Sequence, residues 1–205
     1  MIRRLLKPGI FILCLVPLAL IIFDGFTDSL GANPIEEITH RTGDWALRLL
    51  LITLAVTPAR RLFNWTWATR LRRMLGLYAF FYALLHFLTY FVLDQFFAWD
   101  EILKDIVKRP YITIGFSAFI MLIPLAVTST NNMIRRLGPR WNKLHQLVYV
   151  IGVCAVFHYL WLVKADNLQP LIYAGILIAL LMVRSWSKRQ TQARRRQQTA
   201  SAAAY

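Results

Sequence analysis

The chain has 205 residues, of which 58% are hydrophobic and only 17% charged, with a formal net charge of +14 and a mean hydropathy of +0.48. A soluble domain of this size needs a more charged surface, so long apolar runs between charged clusters predict a polytopic membrane protein instead. The positive excess sits in particular loops instead of along one face, which argues against nucleic acid, and two cysteines inside apolar runs, Cys14 and Cys154, exclude a disulfide framework or cysteine metal motif.

In chain order, six apolar segments stand out: Ile10–Phe26, Trp45–Val56, Met74–Leu93, Tyr111–Val127, Leu147–Val163 and Pro170–Val183. A spanning helix needs about 20 residues, fewer where the bilayer thins. The second segment is the weakest, being short and carrying Arg48 near its start. The first resembles a signal peptide in its basic start, but "LGAN" is a poor cleavage site, so a retained helix is expected. The expected fold is all-α, a helical bundle with six transmembrane helices over residues 1–186. No internal repeat and no soluble second domain are evident.

Charge sets the expected topology. The N-terminus, the loops after the second and fourth segments, and the tail hold 18 of the 24 basic residues, including Arg60, Arg61, Arg72, Arg73, Arg135, Arg136 and Arg140. The opposite loops hold all ten acids, from Asp24 to Asp166. The positive-inside rule then places both termini in the cytoplasm. The basic, Gln/Ala-rich tail, residues 187–205, is expected to be a disordered end lying near anionic lipid headgroups.

The candidate chemistry lies in the histidines. His86 falls about twelve residues into the third segment and His158 about eleven into the fifth, so two helices running the same way carry them at nearly equal depth in the outer half of the bilayer. Ionisable groups at that depth are costly and usually functional. A matched pair could ligate a haem iron, bind a transition metal, relay protons or hydrogen-bond between helices. Zinc or copper would want further ligands that the sequence does not supply at that depth. Haem would want small residues beside each ligand, and Ala79 and Ala83, then Cys154 and Ala155, lie there. Phe80, Phe87, Tyr90, Phe157 and Trp161 could wall the ring.

His145 lies thirteen residues before His158, about 20 Å away along a helix and near the cytoplasmic face. That is the spacing of ligands to two stacked haems. On an ideal helix the two side chains point about 140° apart, so a bend near Gly152 or an unwound start is required. A third-helix partner for His145 falls at or near Arg72, which cannot ligate iron, and an interfacial histidine is the alternative. Arg48 could pair with haem propionates or snorkel. Arg72 is a candidate for an anionic cofactor, although topology also accounts for it. His40 reads as a solvated or capping residue of the outer loop, with closure of the outer site as the alternative.

The blocks "SLGANPIEEITHRTGDWALRLLLITLAVTP", "RRMLGLYAFFYALLHFLTY", "KRPYITIGFSAF", "TSTNNMIRRLGPRWNKLHQLVYV" and "HYLWLVK" closely resemble the MsrQ (YedZ) family of haem-binding membrane subunits, in the ferric-reductase-like transmembrane superfamily. The likeness runs from Leu30 to about Val183. It implies a multi-pass protein of the bacterial inner membrane that passes electrons from the quinone pool, or from a cytosolic flavin reductase, through b-type haem. The acceptor it implies is MsrP, a periplasmic molybdopterin enzyme that reduces methionine sulfoxide in envelope proteins. By position, His86 and His158 look like the outer haem pair and His145 like the family's third ligand. One haem b or two, and FMN, are the cofactors the resemblance implies; it puts no FMN or quinone site on named residues. Competing expectations are a ferric-reductase-like haem protein serving another partner, a small proton or ion transporter, and a haem-free assembly subunit.

Overall fold

The computed structural model describes residues 2–163 and 168–202, and every regular element among them is helical. Nine α-helices follow in order: α1 (Ile2–Phe26), α2 (Pro34–Phe63), α3 (Arg72–Leu88), α4 (Trp99–Lys108), α5 (Pro110–Val127), α6 (Asn131–Leu137), α7 (Pro139–Leu144), α8 (Leu147–Leu162) and α9 (Leu168–Ala202). A 3₁₀ turn at Thr66–Arg70 precedes α3, and a π-helical turn at Thr89–Asp94 extends it. Asp166, one of the ten acids of the topology argument, lies outside the described residues.

Among the described residues, five helical stretches are long and apolar enough to cross a membrane: Leu6–Phe26, Arg72–Asp94, Pro110–Val127, Pro139–Leu162 and Leu168–Ser187. Their outward faces, such as Phe11, Leu20 and Phe23 on α1 and Ile172, Ile176 and Met182 on α9, form an exposed apolar belt suited to lipid. This is a multi-pass membrane protein.

The weak second segment becomes the centre of the bundle. The sequence "NPIEE" explains its start: Asn33 accepts from the Glu36 N–H at 3.4 Å, Pro34 occupies the first turn, and Glu36 and Glu37 face the positive helix end. Arg60 and Arg61 stand at the opposite end, and Asn64 closes it in the left-handed conformation at φ 56°. Instead of the twelve or so residues expected, α2 has 30, about 45 Å of helix. Leu47, Leu49, Leu50, Leu51, Leu54 and Val56 are buried over most of its circumference, with Ile52 left exposed, as befits a helix largely enclosed by others. It packs most extensively on α3, while α5 pairs with α8. Its polar first half, with Arg41, Asp44 and Arg48, keeps α2 out of the hydropathy-defined spans.

Two further departures have local causes. α9 continues through Ala202, where the composition predicts disorder from Ser187; Gln, Ala, Arg and Lys are strong helix formers, and nothing in the run breaks a helix. An amphipathic helix, α4, occupies what reads in sequence as an outer loop, with Ile102 buried against the bundle and Leu103 and Val107 exposed.

Tyr82, fully buried, ties α1 to α3: its hydroxyl donates to Cys14 O at 2.8 Å and accepts from Leu18 N at 3.1 Å. The hydroxyl thus inserts into the α1 ladder beside Pro17, where a proline already weakens the helix.

Candidate functional site

α3 carries His86 and α8 carries His158, and the bundle brings them face to face with ring centroids 6.3 Å apart and planes at 77°. Each ring is oriented by a backbone carbonyl from a neighbouring helix. His86 Nδ1 lies 2.8 Å from Thr39 O on α2, and His158 Nδ1 lies 2.6 Å from Tyr111 O on α5. A carbonyl can only accept, so both imidazoles are held as the Nδ1–H tautomer and each Nε2 keeps its lone pair. Among the described residues neither Nε2 has a hydrogen-bond partner, and neither is a buried atom left without one. Both edges therefore face open space.

That space is a cavity of about 330 Å³ lined by both histidines. Ala79, Ala83 and Ala155 line it as expected, and so do Phe87 and Tyr90. Phe157 and Trp161 instead point outward, each about half exposed, while Cys154 and Phe80 stand off this cavity. The aromatic wall comes from α5: Phe119 stacks on Phe87 at 4.9 Å, and Phe116 lies 5.9 Å from Phe87. His40, Asp44, Asp94 and Arg109 supply the polar lining, at the end of the bundle that carries the acids. There Tyr90 donates to Asp105 at 3.2 Å, tying α4 to the turn that extends α3, and Asp105 pairs with Arg109 at the end of its own helix at 3.2 Å.

The residues fit haem: two imidazoles on facing helices line one cavity with each Nε2 left without a hydrogen-bond partner, and these two side chains would hold the iron of a haem bound there. Ligand histidines usually donate their second N–H to a fixed acceptor, as both do here. No group of three or more His, Cys, Asp or Glu side chains comes together among the described residues, which leaves a closed zinc or copper site without ligands.

The two halves of the site repeat. Thr39 precedes His86 by the same 47 residues that separate Tyr111 from His158. The α2–α3 and α5–α8 pairs thus present one hydrogen-bonded unit twice, where the sequence shows no repeat. A backbone acceptor leaves no side-chain signature, so the constant offset between the two units is the one signal a sequence could carry.

The remaining candidates lie elsewhere. His145 is not on α8: α7 ends at Leu144, and His145 and Gln146 form a turn before α8 begins. The unwound start, one of the two devices expected to re-aim it, is present. His145 lines a second cavity of about 370 Å³ with Arg60, Arg72, Arg73 and Trp141. Its ring stacks on Trp141 at 3.9 Å, and its Nε2 lies 3.1 Å from Thr128 Oγ1. The Thr128 hydroxyl donates to Pro124 O at 2.6 Å, so it accepts from His145 Nε2–H. Arg48 lies behind the first cavity, donating to Tyr173 Oη at 2.8 Å and to Asp44 Oδ2 at 3.0 Å. Leu50 and Leu122 line both cavities and form the partition between them.

Residues 42–156 match the family described as ferric reductase like transmembrane component. A protein of Herminiimonas arsenicoxydans is 56% identical over 191 residues, 90% of this chain and 88% of its own length; it is named protein-methionine-sulfoxide reductase heme-binding subunit MsrQ. Proteins of the same name from Xanthomonas axonopodis pv. citri and Xanthomonas campestris pv. campestris are 53% and 56% identical, covering 88% and 82% of this chain and 87% and 78% of their own. No solved structure matches the chain.

Proposed function

The chain belongs to the ferric reductase-like transmembrane family and, within it, to the MsrQ group, and from that premise we propose that it is the haem-b-binding electron-transfer subunit of a protein-methionine-sulfoxide reductase system. The observation that carries this reading is the His86–His158 pair, with both Nε2 edges free toward one cavity. Haem bound there supplies a one-electron couple that takes up no proton.

The chain's own groups do the rest. The Thr39 and Tyr111 carbonyls fix ring tautomer and orientation and make each imidazole a more basic ligand. Phe87, Phe116 and Phe119 exclude water from one wall. Arg109 and His40, on the cavity lining, are placed for propionates, and Arg48 joins them if it releases Asp44. Sulfoxide reduction itself is assigned to the partner.

Direction follows from charge. The arginine-rich end is the cytoplasmic one by the positive-inside count, with both termini there, α2 crossing as a sixth span and the whole in a bacterial inner membrane. Electrons then arrive from the quinone pool or a cytosolic flavin reductase and leave at the acid-bearing end toward a periplasmic molybdopterin reductase of the MsrP type. A second haem or FMN has its best place in the second cavity, where Arg60, Arg72 and Arg73 suit anionic groups. His145 becomes an iron ligand there only on giving up Thr128.

The test is spectroscopic. Purified with haem supplied during expression, the protein should show reduced-minus-oxidised b-type bands and a pyridine-haemochrome count of at least one per chain. His86→Ala and His158→Ala should each lose the outer haem. A folded, porphyrin-free wild type overturns the reading.

A further inference from the structure

Each histidine leans on a glycine of the helix that supplies its carbonyl. A Cβ built on Gly43 would stand 3.0 Å from Nδ1 and Cε1 of His86, and one on Gly115 would stand 2.7 Å from Nδ1 and 2.8 Å from Cε1 of His158. No other glycine is so placed: the nearest atom to a Cβ at Gly76 is 3.6 Å away, at Gly152 it is 3.4 Å, and at Gly175 nothing lies within 4 Å. Both glycines sit four residues after the acceptor, Gly43 after Thr39 and Gly115 after Tyr111.

That spacing has a physical reason. Every Cβ in an α-helix tilts toward the N-terminus, so a side chain at position i+4 covers the carbonyl of residue i. The carbonyl already bonds the i+4 N–H along the helix, and a second donor must approach it from the side. A side chain at 43 or 115 would occupy that approach.

We propose that Gly43 and Gly115 are positioning residues of the cofactor site: their missing side chains open the Thr39 and Tyr111 carbonyls to His86 and His158, and so set imidazole orientation and ligand strength. This rests on the haem reading of the site. The two halves are unequal. At 3.0 Å the His86 ring can give by a few tenths of an ångström, whereas at 2.7 Å the His158 ring must leave its carbonyl or push α5 and α8 apart.

The experiment compares Gly43→Ala and Gly115→Ala with Gly9→Ala and Gly175→Ala, where a Cβ meets nothing within 4 Å. Alanine favours helix over glycine at all four, so a selective loss at two cannot come from helix propensity. The readouts are haem affinity, the g-values of the low-spin ferric EPR signal and the midpoint potential. Gly115→Ala should weaken haem binding by about 10- to 100-fold, the usual cost of losing the outer partner of a ligand histidine. Gly43→Ala should bind with a smaller loss, shifted g-values and a raised potential, as a less basic imidazole stabilises ferric iron less. The controls should match wild type. If Gly115→Ala does not fold, Gly43→Ala carries the test. Gly43→Ala and Gly115→Ala proteins with wild-type affinity, EPR signal and potential overturn the inference while leaving the haem reading standing; a haem-free wild type overturns both.

Discussion

His86 and His158 stand 6.3 Å apart across one cavity, each with Nδ1 tied to a carbonyl 47 residues earlier in the chain. The relationship makes each imidazole necessary to the site: its Nε2 edge faces the cavity while its Nδ1 edge packs on the helix that supplies its carbonyl. Substituting alanine at either position should therefore abolish the b-type bands while the protein still elutes as a folded species. Added haem should raise the melting temperature of wild type and leave that of His86→Ala unchanged, because only a ligand that binds the native state stabilises it.

His145→Ala should retain those bands. Its Nε2–H is committed to Thr128 and its ring to Trp141, in the other cavity. The informative measurement is the pyridine-haemochrome count per chain on wild type and variant; loss of the outer haem in His145→Ala would contradict the separation of the two cavities.

Asp105 on α4, whose Ile102 and Ile106 line the cavity, accepts from Tyr90 on the turn that extends α3. Tyr90→Phe removes that bond and Asp105→Asn weakens it, at about 0.5–1.5 kcal/mol. Haem should then dissociate about 2- to 10-fold faster, as followed by transfer to an excess of a haem-scavenging apoprotein, with an unaltered spectrum before transfer.

Tyr82→Phe removes the hydroxyl that joins Cys14 O to Leu18 N. Losing these two bonds from a buried, proline-weakened stretch of α1 should cost about 1–2 kcal/mol. Thermal unfolding in detergent measures it. The haem spectrum should not move, because Tyr82 does not line the cavity.

Several of these features are legible in the order of residues. The fourth segment, expected from Tyr111, begins one residue earlier at Pro110, whose fixed φ suits a first turn. The second, expected from Trp45, begins instead at Pro34 as α2, where capping chemistry explains the start. The equal depth of His86 and His158 follows from helical rise alone. What depends on neighbours is not legible. α2 looks short by hydropathy because Arg41, Asp44 and Arg48 count against it, whereas Asp24, Glu37, Asp44 and Tyr173 partner those charges in the bundle. Phe116 and Phe119 carry no signal of their place in the wall, because nothing in α5 marks which of its faces meets the cavity.

The sequence by itself determined a multi-pass helical protein, the asymmetry of its charged ends and the two histidines at one level, since hydropathy, charge and rise per residue are properties of the chain in order. Only the tertiary structure decided which carbonyls orient those histidines, that Gly43 and Gly115 make room for them, and that His145 belongs to a separate cavity. Each of these depends on which faces of distant helices meet: a glycine can be read in the sequence but the ring it makes room for cannot, and a backbone oxygen leaves no mark in the residue types.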